Sequence, residues 1–276
     1  MSIEAGRPDS LYRQYAGNPA ESYEQHFTPA IGVHFARPVV EAADLGKGDL
    51  VLDVACGTGI AARLAALEVG PTGSVAGVDV DPAMLEVAAT SDGGESIDWR
   101  QASAEQLPWD DGSFDAVLCS QGLQFFQDKA VALTEMRRVL TDDGRVALTT
   151  PGPTPPLFEA IGDVLAERVG PEASGFVDAV FALHQPAELR ELLDAAGFAA
   201  IETEYRKVPL RLSPPAHFFW QYVTASPLAA MASQLDDHAR AALEHAVVAR
   251  TQPFTDAEAL VTEPGMLLAT ARPGNA

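Results

Sequence analysis

The chain has 276 residues and a formal net charge of −21, from 39 acidic and 18 basic side chains. That length suits one large α/β domain or a domain with a substantial insertion. An acidic surface with no basic run longer than a pair repels phosphate backbones, so nucleic acid is not an expected partner. Residues 1–45 read as a helical N-terminal flap with aromatic contacts from Tyr12, Tyr15, Tyr23 and Phe27, punctuated by Pro29 and Pro38. A turn over 44–49 then leads into Leu50-Val51-Leu52-Asp53-Val54-Ala55-Cys56-Gly57-Thr58-Gly59. The apolar, β-branched start of this stretch predicts a parallel strand buried on both faces, where alternation disappears. Gly57 and Gly59 allow a sharp turn and close approach of backbone to a ligand. Ile60, Leu64 and Leu67 open a helix whose first N–H groups face that ligand.

Ser74 to Asp79 predicts the second strand, and Asp81-Pro82 the cap and first residue of a helix through Met84, Leu85 and Ala88. A polar loop from Ser91 to Glu95 precedes a short third strand over 97–101. A turn-rich stretch over 107–115 leads to the apolar strand Ala116-Val117-Leu118-Cys119. Asp128 caps a helix to Leu140, Asp142-Asp143-Gly144 turns the chain, and a fifth strand runs from Arg145 to Thr150. Residues 157–183 and 213–255 read as helical insertions, the latter carrying Phe218, Phe219, Trp220 and Tyr222. Between them a helix over 186–196 ends at Gly197 and a strand follows at 200–205; a last strand spans 265–270. Strand–helix alternation of this kind predicts a doubly wound sheet.

The glycine turn alone admits two readings. Gly57-x-Gly59-x-x-Ala62 also satisfies a dinucleotide fingerprint, and Asp79 lies 20 residues past Gly59, the spacing of a carboxylate on a ribose hydroxyl. At this point an NAD-dependent oxidoreductase competes with other nucleotide-type cofactor enzymes.

Four further stretches carry a resemblance. Residues 51–59, Val78-Asp79-Val80-Asp81-Pro82-Ala83-Met84-Leu85, the segment from Ser103-Ala104-Glu105-Gln106-Leu107-Pro108-Trp109 through Phe114-Asp115, and Arg137 to Arg145 stand in the order of one family. In these the chain resembles the class I S-adenosylmethionine-dependent methyltransferases, in the ubiquinone/menaquinone C-methyltransferase-like branch. The likeness covers about 45–150, and Ser103 stands where the family usually has aspartate. A dinucleotide domain has no reason to carry the 107–115 segment. The resemblance implies a Rossmann-like, mostly parallel seven-stranded sheet with an antiparallel last strand and helical lid insertions at about 151–185 and 207–255 within a domain of 46–276.

It also implies S-adenosylmethionine as cofactor and S-adenosylhomocysteine as product, and the aromatic residues of 213–222 point to a small, apolar or aromatic methyl acceptor such as a quinone, polyketide or phenolic compound. Asp79 would accept the two ribose hydroxyls; Asp53 would face the methionyl amino group while holding the turn; Ala55, Gly57 and Gly59 would give close backbone approach. Val80 and Met84 would pack on the adenine. Ala104 would offer its N–H to an adenine nitrogen, with Ser103 and Glu105 beside the exocyclic amine. Gln121, after the fourth strand, would sit near the sulfonium or the methionyl group, and Tyr23 would touch the cofactor from the flap. Phe125 and Phe126 read as core.

In-line methyl transfer needs alignment more than functional groups, and none of the six histidines is assigned a catalytic role. Two cysteines, Cys56 and Cys119, read as small buried residues, and no metal site is expected. No apolar run reaches a membrane span and the stretch from Met1 to Arg13 is polar, so a cytoplasmic protein is expected. The acid-rich composition with only three lysines fits both a halophilic cytosol and an acidic protein of a GC-rich bacterium. A cofactor-binding module without turnover is the alternative class, and a homodimer through 213–255 is one arrangement the sequence permits.

Overall fold

A computed structural model describes residues 11–94 and 96–274. The first ten residues of the expected flap, and Glu95 of the polar loop, lie outside them. The chain begins with α1 (Leu11–Tyr15), α2 (Pro19–Ser22), a π-helix (Tyr23–Gly32) and α3 (Val33–Ala42). Pro29 and Pro38 lie inside the π-helix and α3 rather than punctuating the segment. Each removes an N–H donor, but α3 is anchored by its buried Phe35, Ala36, Val39 and Val40.

The alternation that follows is β1 (Leu50–Val54), α4 (Ile60–Val69), β2 (Ser74–Asp79), α5 (Pro82–Thr90), β3 (Asp98–Gln101), β4 (Phe114–Ser120), α6 (Lys129–Val139) and β5 (Leu140–Pro151). Local chemistry sets the helix starts. Asp81 accepts the Ala83 N–H at 2.9 Å with Pro82 in the first turn, and Asp128 accepts the Val131 N–H at 3.0 Å. The turn expected at Asp142-Asp143-Gly144 is instead an irregularity within β5. Leu140 already pairs with Phe114 and Arg145 with Ala116, so the strand bulges there.

Next come α7 (Pro156–Arg168), α8 (Pro171–Val180), α9 (Pro186–Ala195) and β6 (Phe198–Lys207). They are followed by β7 (Leu210–Leu212), α10 (Pro215–Thr224), α11 (Leu228–Gln234), α12 (Asp237–Thr251), β8 (Thr255–Asp256), β9 (Ala259–Thr262) and β10 (Gly265–Pro273). The main sheet has seven strands in the order β3-β2-β1-β4-β5-β10-β6. Strands β1 to β5 pair in parallel, and β10 inserts antiparallel to both β5 and β6. Strands β7, β9 and β8 form a second, small antiparallel sheet that the sequence reading assigned to helix or left unassigned. Two- to four-residue strands carry too little periodicity to be read locally.

Three apolar clusters hold these elements. One lies on one face of the main sheet, around Leu52, Val117, Leu133, Leu148 and Leu189. Another lies on the opposite face, where α3 and α4 pack on Val51, Val75, Leu118 and Leu268. The third joins Tyr15 and Phe35 to α7, α8, α10, α12 and the small sheet, with Phe219 and Trp220 fully enclosed. Among the described residues no helix is long and apolar enough to cross a membrane.

Candidate cofactor and acceptor site

Strand β1 lies between β2 and β4, where the winding of the sheet reverses, and a crevice opens beyond the carboxyl ends of such strands. The loops after β1 and β4 meet there. Ala55, Gly57, Gly59 and Gln121 all have left-handed backbones, with φ of 55°, 54°, 87° and 57°. Such a conformation is strained for Ala55 and Gln121, and strain of this kind gathers at functional sites. The two loops touch closely: a Cβ on Gly122 would fall 2.7 Å from that of Ala55.

Two carboxylates anchor the glycine turn from beneath. Asp79, at the end of β2, accepts the Gly57 N–H at 2.8 Å and the Asp81 N–H at 3.0 Å. Desolvation raises its pKa, and these backbone bonds oppose the rise. Asp53 is 1% exposed and accepts the Ala62 N–H at 2.9 Å through Oδ2, inside the first turn of α4. Its Oδ1 is buried with no partner among the described residues. Desolvation pushes this carboxyl up to about 7, against the Ala62 bond and with Asp79 adding to the rise. An orphaned buried acceptor costs about 1–3 kcal/mol, and the ammonium of an S-adenosylmethionine would satisfy it. The residues present fit that group.

Trp99 completes the support in a way the sequence reading missed. A Cβ at Gly59 would lie 2.4 Å from its ring, and one at Gly77 2.3 Å, so two glycines give the indole its bed. From the N-terminal side, Thr58 donates to Glu24 at 2.6 Å and Arg63 pairs with the other Glu24 oxygen at 2.7 Å. Tyr23 and Phe27 of the π-helix stack at 4.6 Å. Burial, then the charges of Asp79 and Glu24, raise the Tyr23 pKa.

A cavity of about 370 Å³ begins at this turn. Of the expected site residues, Tyr23, Asp53, Ala55, Gly57, Met84 and Gln121 line it. Gly59, Asp79, Val80, Ser103, Ala104 and Glu105 do not; Asp79 reaches the site through Gly57, and Val80 is 69% exposed. Ser103 donates a short hydrogen bond to Glu105, which holds that carboxyl below its usual range, and Glu105 also accepts the Asp128 N–H at 3.2 Å. Phe125, read as core, is 51% exposed and lines the cavity; Phe126 packs against a core cluster.

Besides Tyr23 and Phe125, the lining carries Phe27, Phe35, Phe158, Phe176, Phe181 and Tyr222. Of the four aromatics that the sequence reading flagged in 213–255, only Tyr222 reaches it. Phe218, Phe219 and Trp220 serve the third apolar cluster. The other lining aromatics come from the π-helix, α3, the loop after β4, α7, α8 and the residue that follows α8, positions no local pattern links. Cys56 and Cys119 are both buried, with their thiol pKa values raised by desolvation.

The sequence matches the methyltransferase domain family over residues 52–148. It is 33% identical over 190 residues to a demethylmenaquinone methyltransferase of Staphylococcus aureus, covering 64% of this chain and 76% of that protein. Among solved structures, the YcgJ protein of Bacillus subtilis superposes with a TM-score of 0.57 at 21% identity, over 88% of this chain and 99% of that one. A Haemonchus contortus phosphoethanolamine N-methyltransferase 2 in complex with S-adenosyl-L-methionine gives 0.61 at 18%, over 97% and 61%. Sheet order, glycine turn and these likenesses define a methyltransferase that uses S-adenosylmethionine. The chain belongs to the class I S-adenosylmethionine-dependent methyltransferases, in their quinone-methyltransferase-like branch. That removes the oxidoreductase reading of the glycine turn.

Proposed function

We propose that this enzyme methylates a small, uncharged aromatic acceptor of the quinone or quinol type, bound in the cavity beyond the glycine turn. The observation that carries this reading is the cavity's composition. Its lining joins Asp53 and the glycine turn to eight aromatic side chains. Among its described lining residues there is no lysine, arginine, histidine or glutamate. The name of the Staphylococcus aureus relative supports the same acceptor class.

When bound, S-adenosylmethionine supplies an electrophilic methyl group on a sulfonium sulfur. Asp53 would meet its ammonium through the orphaned Oδ1, and Asp79 its ribose hydroxyls through lone pairs left beside the two backbone bonds. Met84 and Val80 would flank the adenine, with Ala104, Ser103 and Glu105 at its edge. The Ser103–Glu105 bond brings a carboxylate beside the position where the family usually has one. Gly57, Gly59 and Ala55 would let the backbone approach, while Tyr23 and Gln121 would close on the methionyl side. The described part of 1–40, residues 11–40, would form with 151–185 and 207–255 the lid that excludes water. Alignment and water exclusion then carry the rate. The net charge of −21 disfavours a nucleic-acid acceptor, and the reading assumes a cytoplasmic enzyme.

The test is calorimetric titration with S-adenosylhomocysteine beside Asp79→Ala, followed by methyl transfer to naphthols and naphthoquinols. Micromolar binding lost in the variant, with turnover of a naphthol or a naphthoquinol, is the expected result. Binding of the nucleoside with turnover confined to charged aliphatic acceptors would overturn the acceptor class.

A further inference from the structure

Resting on the aromatic-acceptor reading, one buried group bears on how the acceptor is positioned. Tyr222 projects from α10 and is 5% exposed. Its ring is fixed on three sides, stacked on Phe218 at 6.0 Å, edge-on to Phe158 at 5.7 Å and tilted against Phe176 at 6.2 Å. The hydroxyl is enclosed and has no hydrogen-bond partner among the described residues, yet the side chain lines the cavity. A buried tyrosine hydroxyl ordinarily finds a partner. Burial also keeps it protonated, so it remains a donor. Gln121 Nε2 and Gln124 Oε1, from the loop after β4, line the same cavity with their own hydrogen-bonding capacity unmet. A pocket rich in aromatic and aliphatic side chains thus contains unpaired polar atoms and, among its described lining residues, no lysine, arginine or histidine to hold a carboxylate.

We propose that Tyr222 is the acceptor-positioning residue, its hydroxyl donating a hydrogen bond to an oxygen on an aromatic ring seated among Phe158, Phe176 and Phe181. The preferred acceptor is therefore an oxygen-bearing, uncharged ring such as a phenol, quinol or quinone. A bare hydrocarbon leaves the hydroxyl unpaired, and an aromatic carboxylate finds no cationic side chain among the described lining residues. A site built to hydrogen-bond an oxygen rejects the analogue lacking it, because its own polar group stays buried and unmet.

The experiment measures binding of 1-naphthol and naphthalene to the S-adenosylhomocysteine-loaded enzyme, wild type and Tyr222→Phe. The wild type is expected to bind 1-naphthol roughly tenfold more tightly than naphthalene. Tyr222→Phe removes one oxygen atom and is expected to bind both equally, with naphthalene and S-adenosylhomocysteine affinities unchanged. Those last two readings also report that the variant is folded. A preference that survives in Tyr222→Phe overturns the role of Tyr222 and leaves the acceptor class standing. A wild type that binds S-adenosylhomocysteine but neither aromatic overturns both. In the wild type alone, 1-methoxynaphthalene keeps an accepting oxygen and is expected to outbind naphthalene. Failure to do so overturns the donor assignment without any variant.

Discussion

The Thr58 hydroxyl donates to Glu24 at 2.6 Å, joining the glycine turn to the N-terminal π-helix across 34 residues of sequence. The same carboxylate takes Arg63 of α4 at 2.7 Å, so one side chain ties three elements over the cofactor end of the cavity. Glu24→Ala leaves Arg63, a largely buried guanidinium, without this partner. We expect a stability loss of about 1–3 kcal/mol by urea denaturation, and weaker S-adenosylhomocysteine binding. Glu24→Gln, which still accepts from Thr58, should fall between the two.

Asp79→Asn probes the proposed ribose contact with less damage than alanine, since an amide oxygen can still accept the Gly57 N–H. A charge-assisted contact of this kind contributes about 1.5–3 kcal/mol, so S-adenosylhomocysteine affinity should fall by roughly tenfold to a hundredfold. Unchanged affinity in calorimetry would remove Asp79 from the cofactor site.

Asp53 links binding to pH. Its folded pKa is raised to about 7 by burial, above about 3.9 for a free aspartate. The protonated form is therefore favoured in the fold, and this contribution to stability is complete below about pH 4 and lost as pH rises through about 7. A cofactor ammonium beside Oδ1 favours the ionised form. Binding near pH 6 should then release close to one proton, and affinity should rise from about pH 5 to 7 and level off above. Titrations in buffers of different ionisation enthalpy count that proton. In Asp53→Asn both the proton release and this pH dependence should vanish.

Gly59→Ala places a methyl 2.4 Å from the Trp99 ring at a φ of 87°. Left-handed strain and the clash act together, and a loss of about 2 kcal/mol or more is expected in thermal or urea unfolding. Wild-type stability in this variant would mean that Trp99 does not pack on the turn.

Arg138 explains why two separated motifs belong together. Its guanidinium donates to the carbonyls of Leu107 and Trp109, at 3.1 and 2.8 Å, and pairs with Asp111 and Glu135. Glu135 in turn accepts the Leu107 N–H at 2.9 Å. Arg138→Lys keeps the charge but not the planar fork that reaches several acceptors at once. We expect about 1–2 kcal/mol of lost stability, and hydrogen exchange should locate it in residues 107–111.

The sheet, the glycine turn and the family were legible from sequence because each is written in contiguous residues. Buried parallel strands are unbroken apolar runs, and the turn and caps are set by Gly57, Gly59, Asp81 and Asp128 within a few positions of where they act. Chemistry that depends on distant segments meeting was not legible. Nothing near Glu24 marks it as the partner of Thr58 and Arg63, and nothing near Gly59 or Gly77 announces Trp99. The four aromatics of α10 look alike in sequence, yet three fill the helical core and only Tyr222 meets the cavity, which packing decides. The sequence alone therefore pointed to the cofactor class, through the resemblance of four stretches in family order, while the glycine turn by itself left two cofactors open. Tertiary structure decided the proposed acceptor pocket, because its walls come from segments as far apart in sequence as Tyr23 and Gly265 and its orphaned groups are defined only by what surrounds them.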